Sequence, residues 1–170
     1  MNIFIPDIYE ESIYKVDYKR LYKNNIKVVL FDLDNTLIEA DENKANPEIK
    51  QLFDNIREIG LNPIIFSNSP KKRIKRIAFF MDAEFVYLAC KPLSFKFKRL
   101  MKKYNLKNSE VAIIGDQLLT DIKGGNKVGI KTILVKPMSN YDPTITRLNR
   151  IREKKLLCKI DLEGCNNYEM

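Results

Sequence analysis

The sequence predicts an α/β protein, three layers deep, with helices on both faces of a mostly parallel five-stranded sheet. Three observations predict it. Five short apolar runs, at 28–31, 64–66, 85–88, 111–114 and 132–135, punctuate the middle of the chain. Segments of helical periodicity separate them, and such alternation is the signature of parallel strands joined by right-handed crossovers. Polar residues gather just after the runs, where open parallel sheets bind ligands.

The elements follow in order. Run 28–31 is continuously apolar, as a strand buried on both faces is. Asn46-Pro47 supplies an N-cap and a proline at the first helical position. Ile49, Leu52, Phe53 and Ile56 mark one helical face, and Gly60 closes that helix. After run 64–66, Ser69-Pro70 opens a second helix with Ile74, Ile77, Ala78 and Met81 inward. After run 85–88, Ser94 caps a third, carrying Phe97, Leu100, Met101 and Tyr104. Run 111–114 leads to a short helical segment around Gly124-Gly125 and then to run 132–135.

The flanks are irregular. Segment 4–25 interleaves tyrosines and charges with apolar residues. Ile3, Phe4, Ile5, Ile8, Ile13, Val16 and Leu21 are expected to cover the core rather than to touch a membrane interface. Asp142-Pro143 starts a last helix with Ile145, Leu148, Ile151 and Leu156 apolar, and 147–159 is strongly basic, a solvated face by expectation. Beyond Cys158 the polar chain is expected to fray. We read 1–170 as one domain, with a core of about 27–137 and extensions at 1–26 and 138–170.

Composition narrows the chemistry. Lys+Arg of 30 against Asp+Glu of 22 gives a formal charge of +8, which favours anionic partners. The absence of histidine excludes His-ligated zinc, Ser-His-Asp triads and histidine phosphatases. Cys90, Cys158 and Cys165 have neither disulfide-framework nor zinc spacing, which suits the cytosol. A cysteine phosphatase needs an arginine shortly after its nucleophile, but Lys96 and Gly164 stand six residues after Cys90 and Cys158. No apolar run is long enough to span a membrane, and the N-terminus lacks the pattern of a secretory signal.

The informative residues are Asp32 and Asp34, two apart where the first run ends. Alternate strand residues share a face. Like charges about 4 Å apart repel by roughly 4 kcal/mol at an effective dielectric near 20. A fold tolerates such a pair when a cation or a proton sits between them. Ser67-Asn68-Ser69 follows the second run, Lys91-Pro92 the third, and Gly115-Asp116-Gln117, with Asp121 beyond, the fourth. Each alone is more often a turn, a cap or a solvated lysine; together they suit phosphoryl transfer. An aspartate attacks phosphorus, oxygen-bound magnesium and a lysine neutralise the charge, hydroxyls orient the equatorial oxygens, and a second aspartate moves the proton.

These residues resemble the four motifs of the haloacid dehalogenase (HAD) superfamily of phosphatases, which has a Rossmann-like fold. The match runs over about 27–137. The resemblance implies that Asp32 is the nucleophile and a Mg2+ ligand. It implies that Asp34 is the general acid/base and lends its backbone carbonyl to the metal. Ser67 and Lys91 would hold the phosphoryl group, with Asn68 and Asn35 as supporting donors. Asp116 and Asp121 would complete the metal shell, and Gln117 stands where some relatives carry another acid. The intervals from Asp34 to Ser67 and from Ser67 to Lys91 are too short for a cap domain, so the site should be open.

Ile5-Pro6-Asp7, Ala89-Cys90-Lys91-Pro92, the stretch Gly115 to Asp121 with Gly124-Gly125-Asn126, Val135-Lys136-Pro137 and Thr146-Arg147-Leu148-Asn149-Arg150 resemble the YqeG-type branch. That branch is similar to phosphatidylglycerophosphatase, which implies an anionic phospholipid head group as substrate and peripheral contact with a membrane. A nucleic-acid or nucleotide phosphate, tracked by the basic tail, is the second expectation. A non-catalytic binding module on the same scaffold is the third.

Overall fold

The structure, a computed structural model, describes residues 3–139, 144–158, 160–162 and 164–168. The element order is β1 (Ile8–Glu10), α1 (Tyr18–Lys23), β2 (Val28–Phe31), α2 (Pro47–Ile59), β3 (Asn62–Phe66), α3 (Lys71–Phe80) and β4 (Glu84–Val86). Then come α4 (Phe95–Lys103), β5 (Val111–Gly115), α5 (Lys123–Val128), β6 (Lys131–Val135) and α6 (Thr144–Leu157). The sheet has six strands rather than five, in the order β1-β6-β5-β2-β3-β4, and every strand pair is parallel.

The extra strand comes from the N-terminal flank. Ile8, Tyr9 and Glu10 pair with Ile133, Leu134 and Val135 at the edge. A three-residue strand carries too little periodicity to be seen in sequence. Asp7 anchors it, its Oδ2 accepting from the Thr132 N–H at 2.8 Å and the Thr132 hydroxyl at 2.9 Å. Ile8, Ile13, Val16 and Leu21 are buried as expected, whereas Ile3 and Ile5 are exposed.

Strand parity makes the layers. Val29, Phe31, Ile65, Ala112 and Ile114 face Leu21 of α1, Ile49, Phe53 and Ile56 of α2, and Ile74 and Ile77 of α3. Val28, Leu30, Ile64, Phe66 and Ile113 face Phe97, Leu100 and Met101 of α4 on the other side. Local signals set the ends of α2: Asn46 Oδ1 accepts the Ile49 N–H at 2.9 Å, and Gly60 adopts a left-handed φ of 104°. The third predicted run starts one residue early and stops at Val86, because Leu88 and Cys90 turn into positive φ.

Among the described residues, the C-terminal tail is docked rather than frayed. Cys165 and Tyr168 are buried, Cys165 O accepts the Tyr9 N–H at 2.8 Å, and Tyr168 Oη donates to Glu10 at 2.9 Å. The tail returns antiparallel to β1 through a bridge between Ile8 and Asn166, which a local reading cannot foresee. The start predicted for the last helix, Asp142-Pro143, lies outside the described residues. Only α2 and β3 lie between Asp34 and Ser67, and only α3 and β4 between Ser67 and Lys91, so no cap is inserted. Among the described residues, no helix is long and apolar enough to cross a membrane.

Candidate active site

β2 lies at the sheet's topological switch, flanked by β5 and β3. Phe31 pairs with both Ile65 and Ile114, so Asp32, Ser67 and Asp116 emerge at nearly one level. The Asp32 N–H still donates to Ile114 O at 2.9 Å, which fixes its backbone. Asp32, Asp116 and Asp121 place carboxylate oxygens within 4.8 Å of one another, all buried.

Lys91 enters this cluster from the loop after β4. Its Nζ lies 2.6 Å from Asp32 Oδ1 and 2.7 Å from Asp121 Oδ1, with the side chain 1% exposed. Both contacts are ion pairs between buried groups, so the ammonium is held by two carboxylates at once. The loop is hooked back by the Ala89 N–H on Ser67 O and the Leu88 N–H on Ser69 O, at 2.9 and 3.1 Å. Asn68 clamps the lysine's backbone, accepting from its N–H at 2.8 Å and donating to its C=O at 3.2 Å. The side chain expected to donate to a phosphate is thus engaged with the lysine loop.

Asp121 lies on a π-helical turn, Leu118–Ile122, a form that concentrates at functional positions. Gly115 makes its position possible: a Cβ there would fall 2.2 Å from Asp121 Cγ. Ser67 is buried, and its Oγ accepts the Ser69 N–H at 3.1 Å, leaving the hydroxyl hydrogen to donate. Asn35 has a left-handed φ of 59° and accepts at Oδ1 from the Ser139 hydroxyl at 3.0 Å, tying the Asp34 turn to the segment after β6. Gln117 accepts at Oε1 from Thr120 at 3.4 Å.

Five residues not singled out as site residues reach the carboxylates: the Thr36 hydroxyl donates to Asp116 Oδ1 at 3.1 Å, the Thr120 hydroxyl to Asp121 Oδ2 at 3.4 Å, and Ser69, Arg73 and Arg150 complete the set. Ser69, expected at a helix start, accepts no cap bond from α3, whose N-cap position is Pro70, and gives its hydroxyl to Asp34 Oδ2 at 2.6 Å. Arg73 of α3 pairs with Asp34 Oδ1. Arg150 of α6 pairs with Asp116 Oδ2 and donates to Asp116 O at 2.8 Å, while Glu153 beside it accepts the Leu119 N–H. The basic tail is therefore not wholly solvated. Arg150 belongs to a stretch quoted above for the branch resemblance; Arg73 had no such signal.

The electrostatics follow from burial. Burial pushes the Asp116 carboxyl up to about 8, with Asp32 and Asp121 adding repulsion and Arg150 opposing. Burial pushes Asp121 up to about 7, raised further by Asp32 and opposed by Lys91. Asp34 is also raised, chiefly by burial and then by Asp32, with Ser69 and Arg73 opposing. For Lys91, burial favours the neutral form, but Asp121 and Asp32 outweigh it and hold the ammonium protonated. Three buried carboxylates facing one ammonium and one guanidinium are short of positive charge, and an all-oxygen donor set suits a hard divalent cation.

A HAD-hydrolase-like family model matches residues 88–150, and a mitochondrial PGP phosphatase model matches residues 1–76. The Bacillus subtilis (strain 168) protein described as "Probable phosphatase YqeG" is 37% identical over 168 residues, 99% of this chain and 98% of that protein. Fold, site and these likenesses define a capless phosphatase. The chain belongs to the HAD superfamily of phosphatases, in its YqeG-type branch. Phosphatidylglycerophosphate phosphatase 1, chloroplastic/mitochondrial, of Arabidopsis thaliana is 25% identical over 163 residues, 90% of this chain but 47% of that longer protein. The 3-deoxy-D-manno-octulosonate 8-phosphate phosphatase of Moraxella catarrhalis shares the fold, with a TM-score of 0.58 and 16% identity over 84% of this chain and 97% of that one.

Proposed function

We propose that this phosphatase is a Mg2+-dependent phosphomonoesterase that works through an aspartyl-phosphate, with phosphatidylglycerophosphate as substrate. The buried constellation of Asp32, Lys91, Asp116 and Asp121 carries the catalytic reading. The similarity to phosphatidylglycerophosphate phosphatase 1 and to the mitochondrial PGP phosphatase family supports the lipid. So do the +8 charge and the uncapped site, which leaves room for a bulky head group met from the aqueous, cytoplasmic side of a membrane.

Asp32, Asp116 and Asp121, with the backbone carbonyl of Asp34, would hold the cation, which when bound neutralises charge between carboxylate and phosphate. Lys91 supplies fixed positive charge, and the Ser67 hydroxyl orients an equatorial oxygen. A carboxylate oxygen of Asp32 forms a bond to phosphorus as the bond from phosphorus to the leaving oxygen breaks. Asp34, whose raised affinity for a proton suits an acid, gives that proton to the leaving oxygen. Asp34 then takes a proton from water. The water oxygen attacks phosphorus, the aspartyl P–O bond breaks, and inorganic phosphate leaves. Asn68 acts by positioning Lys91.

The substrate is tested with Mg2+ present on 4-nitrophenyl phosphate, micellar phosphatidylglycerophosphate, and 5′- and 3′-phosphorylated oligonucleotides. The lipid should be turned over in preference to either oligonucleotide, and chelation should stop all turnover. Oligonucleotides cleaved as well as the lipid would overturn the lipid reading. Against them stands the inward aim of Arg150, which takes one positive charge of the basic helix away from solvent.

Metal binding should also report on pH. Asp116 and Asp121 titrate higher in the folded chain than unfolded, so the metal-free protein binds more protons when folded. Its stability then falls as pH rises from about 4, the unfolded value, to about 8, the higher folded one. Mg2+ must displace those protons. The rise in melting temperature on adding Mg2+ should therefore be larger near pH 8.5 than near pH 6, by several degrees. A rise that is flat or larger at the acid end would contradict metal binding by these carboxylates.

A further inference from the structure

Beside Asp34, and sharing its partner Arg73, lies a cationic pocket. It has a volume of about 320 Å³ and is lined by Asn43, Pro70, Lys72, Arg73 and Arg76. On α3, Arg76 is the surface neighbour of both Lys72 (i, i+4) and Arg73 (i, i+3). Arg73 joins the pocket to the site: Nη1 contacts Asp34 Oδ1 and Ser69 Oγ, and Nη2 donates to Ala40 O at 2.9 Å and Glu42 O at 2.8 Å. Both terminal nitrogens are engaged within the protein.

Lys72 and Arg76 are different. Both are exposed, and among the described residues neither has an ion pair or side-chain hydrogen bond. Asp41 and Glu42, on the loop across the pocket, pair with neither cation, and that loop meets α3 through its carbonyls. The helix is also charged the wrong way for its own stability. Lys71, Lys72 and Arg73 fill a first turn that has no acidic residue and no side-chain cap, at the end where the helix dipole favours anions. An anion in the pocket would relieve that repulsion.

The position says which part of a substrate meets it. A general acid stands beside the leaving oxygen, so whatever that oxygen carries extends past Asp34, and the next groups there are Arg73 and the pocket. We propose that Lys72 and Arg76 form a subsite for a second phosphate, monoester or diester, carried on the leaving group a few bonds from the scissile phosphorus. This deepens the proposed function and rests on its assignment of Asp34 as the acid. The shared chemistry is a doubly phosphorylated substrate, lipid-linked or soluble.

The test reads a ratio of kcat/KM in the variant Lys72→Gln/Arg76→Gln, which alters two exposed helical positions with a good helix former. The numerator is the deacylated head group, glycerophosphoglycerol phosphate; the denominator is 4-nitrophenyl phosphate. The ratio should fall about tenfold, mostly through KM, and the wild-type preference should shrink with added salt. An unchanged ratio, or equal losses on both substrates, overturns the subsite. Loss confined to the intact lipid in anionic vesicles also overturns it, since the cations would then attract a surface. Should wild type cleave the aryl phosphate but neither glycerophosphoglycerol phosphate nor the lipid, the lipid reading fails. The subsite is then judged on 1,3-propanediol bisphosphate against propyl phosphate. A preference for the bisphosphate that the double variant loses sustains it, and no preference ends it.

Discussion

Asp32→Asn should lower kcat/KM by about 10⁴-fold or more while leaving the metal-free protein at least as stable as wild type. The amide is nearly isosteric but cannot form an acyl-phosphate, so acid-quenched turnover should trap no phosphoryl-enzyme. The stability half of the expectation comes from charge counting. Asp32 repels Asp116, Asp121 and Asp34, and each is raised partly on its account. Removing that charge leaves Asp116 facing Arg150 and Asp121 facing Lys91, two neutral pairs. A dead enzyme with an unchanged or higher melting temperature separates lost chemistry from lost fold. Substantial retained turnover would remove Asp32 as nucleophile.

Lys91→Met should do the opposite to stability. The substitution keeps the length of the side chain and deletes the ammonium that touches both Asp32 and Asp121 in a buried site. Leaving buried charge unpaired costs about 3–5 kcal/mol, or about ten degrees in melting temperature for a chain of this size. The loss should be largest in chelator at alkaline pH. It should shrink as pH falls, because Asp121, no longer held down by Lys91, then takes up a proton more readily than in wild type, and Mg2+ should restore part of it by taking the ammonium's place. Activity should fall by about 10²–10³-fold even with Mg2+, because a fixed charge near the transferring group is gone. A variant as stable as wild type in chelator would show that Lys91 does not balance the carboxylates.

Much of the fold was legible because it is written locally. Four apolar residues before Asp32, the Asn46-Pro47 start and the Gly60 stop are signals within a few residues of what they determine. The same holds for Asp32, Asp34, Lys91 and Asp116, each placed just beyond an apolar run, and for Asp121 within the next turn or two. The strand count was not legible, since β1 is short and exists only because β6 offers an open edge. The tail was misread for the same reason, its order coming from contacts with Asp7, Tyr9 and Glu10 at the other end of the chain.

The sequence by itself thus determined the alternation of strands and helices, the lack of a cap, and the acids and lysine that meet in the crevice. The tertiary structure alone decided their partners. Ser69 and Arg73 hold Asp34, Asn68 holds the backbone of Lys91, and Arg150 reaches Asp116 from α6. The division has a physical cause. Periodicity and capping act over one or two turns, whereas the partner of a buried charge is set by how helices dock on the sheet. For Asp116 and Arg150 that docking joins residues 34 positions apart.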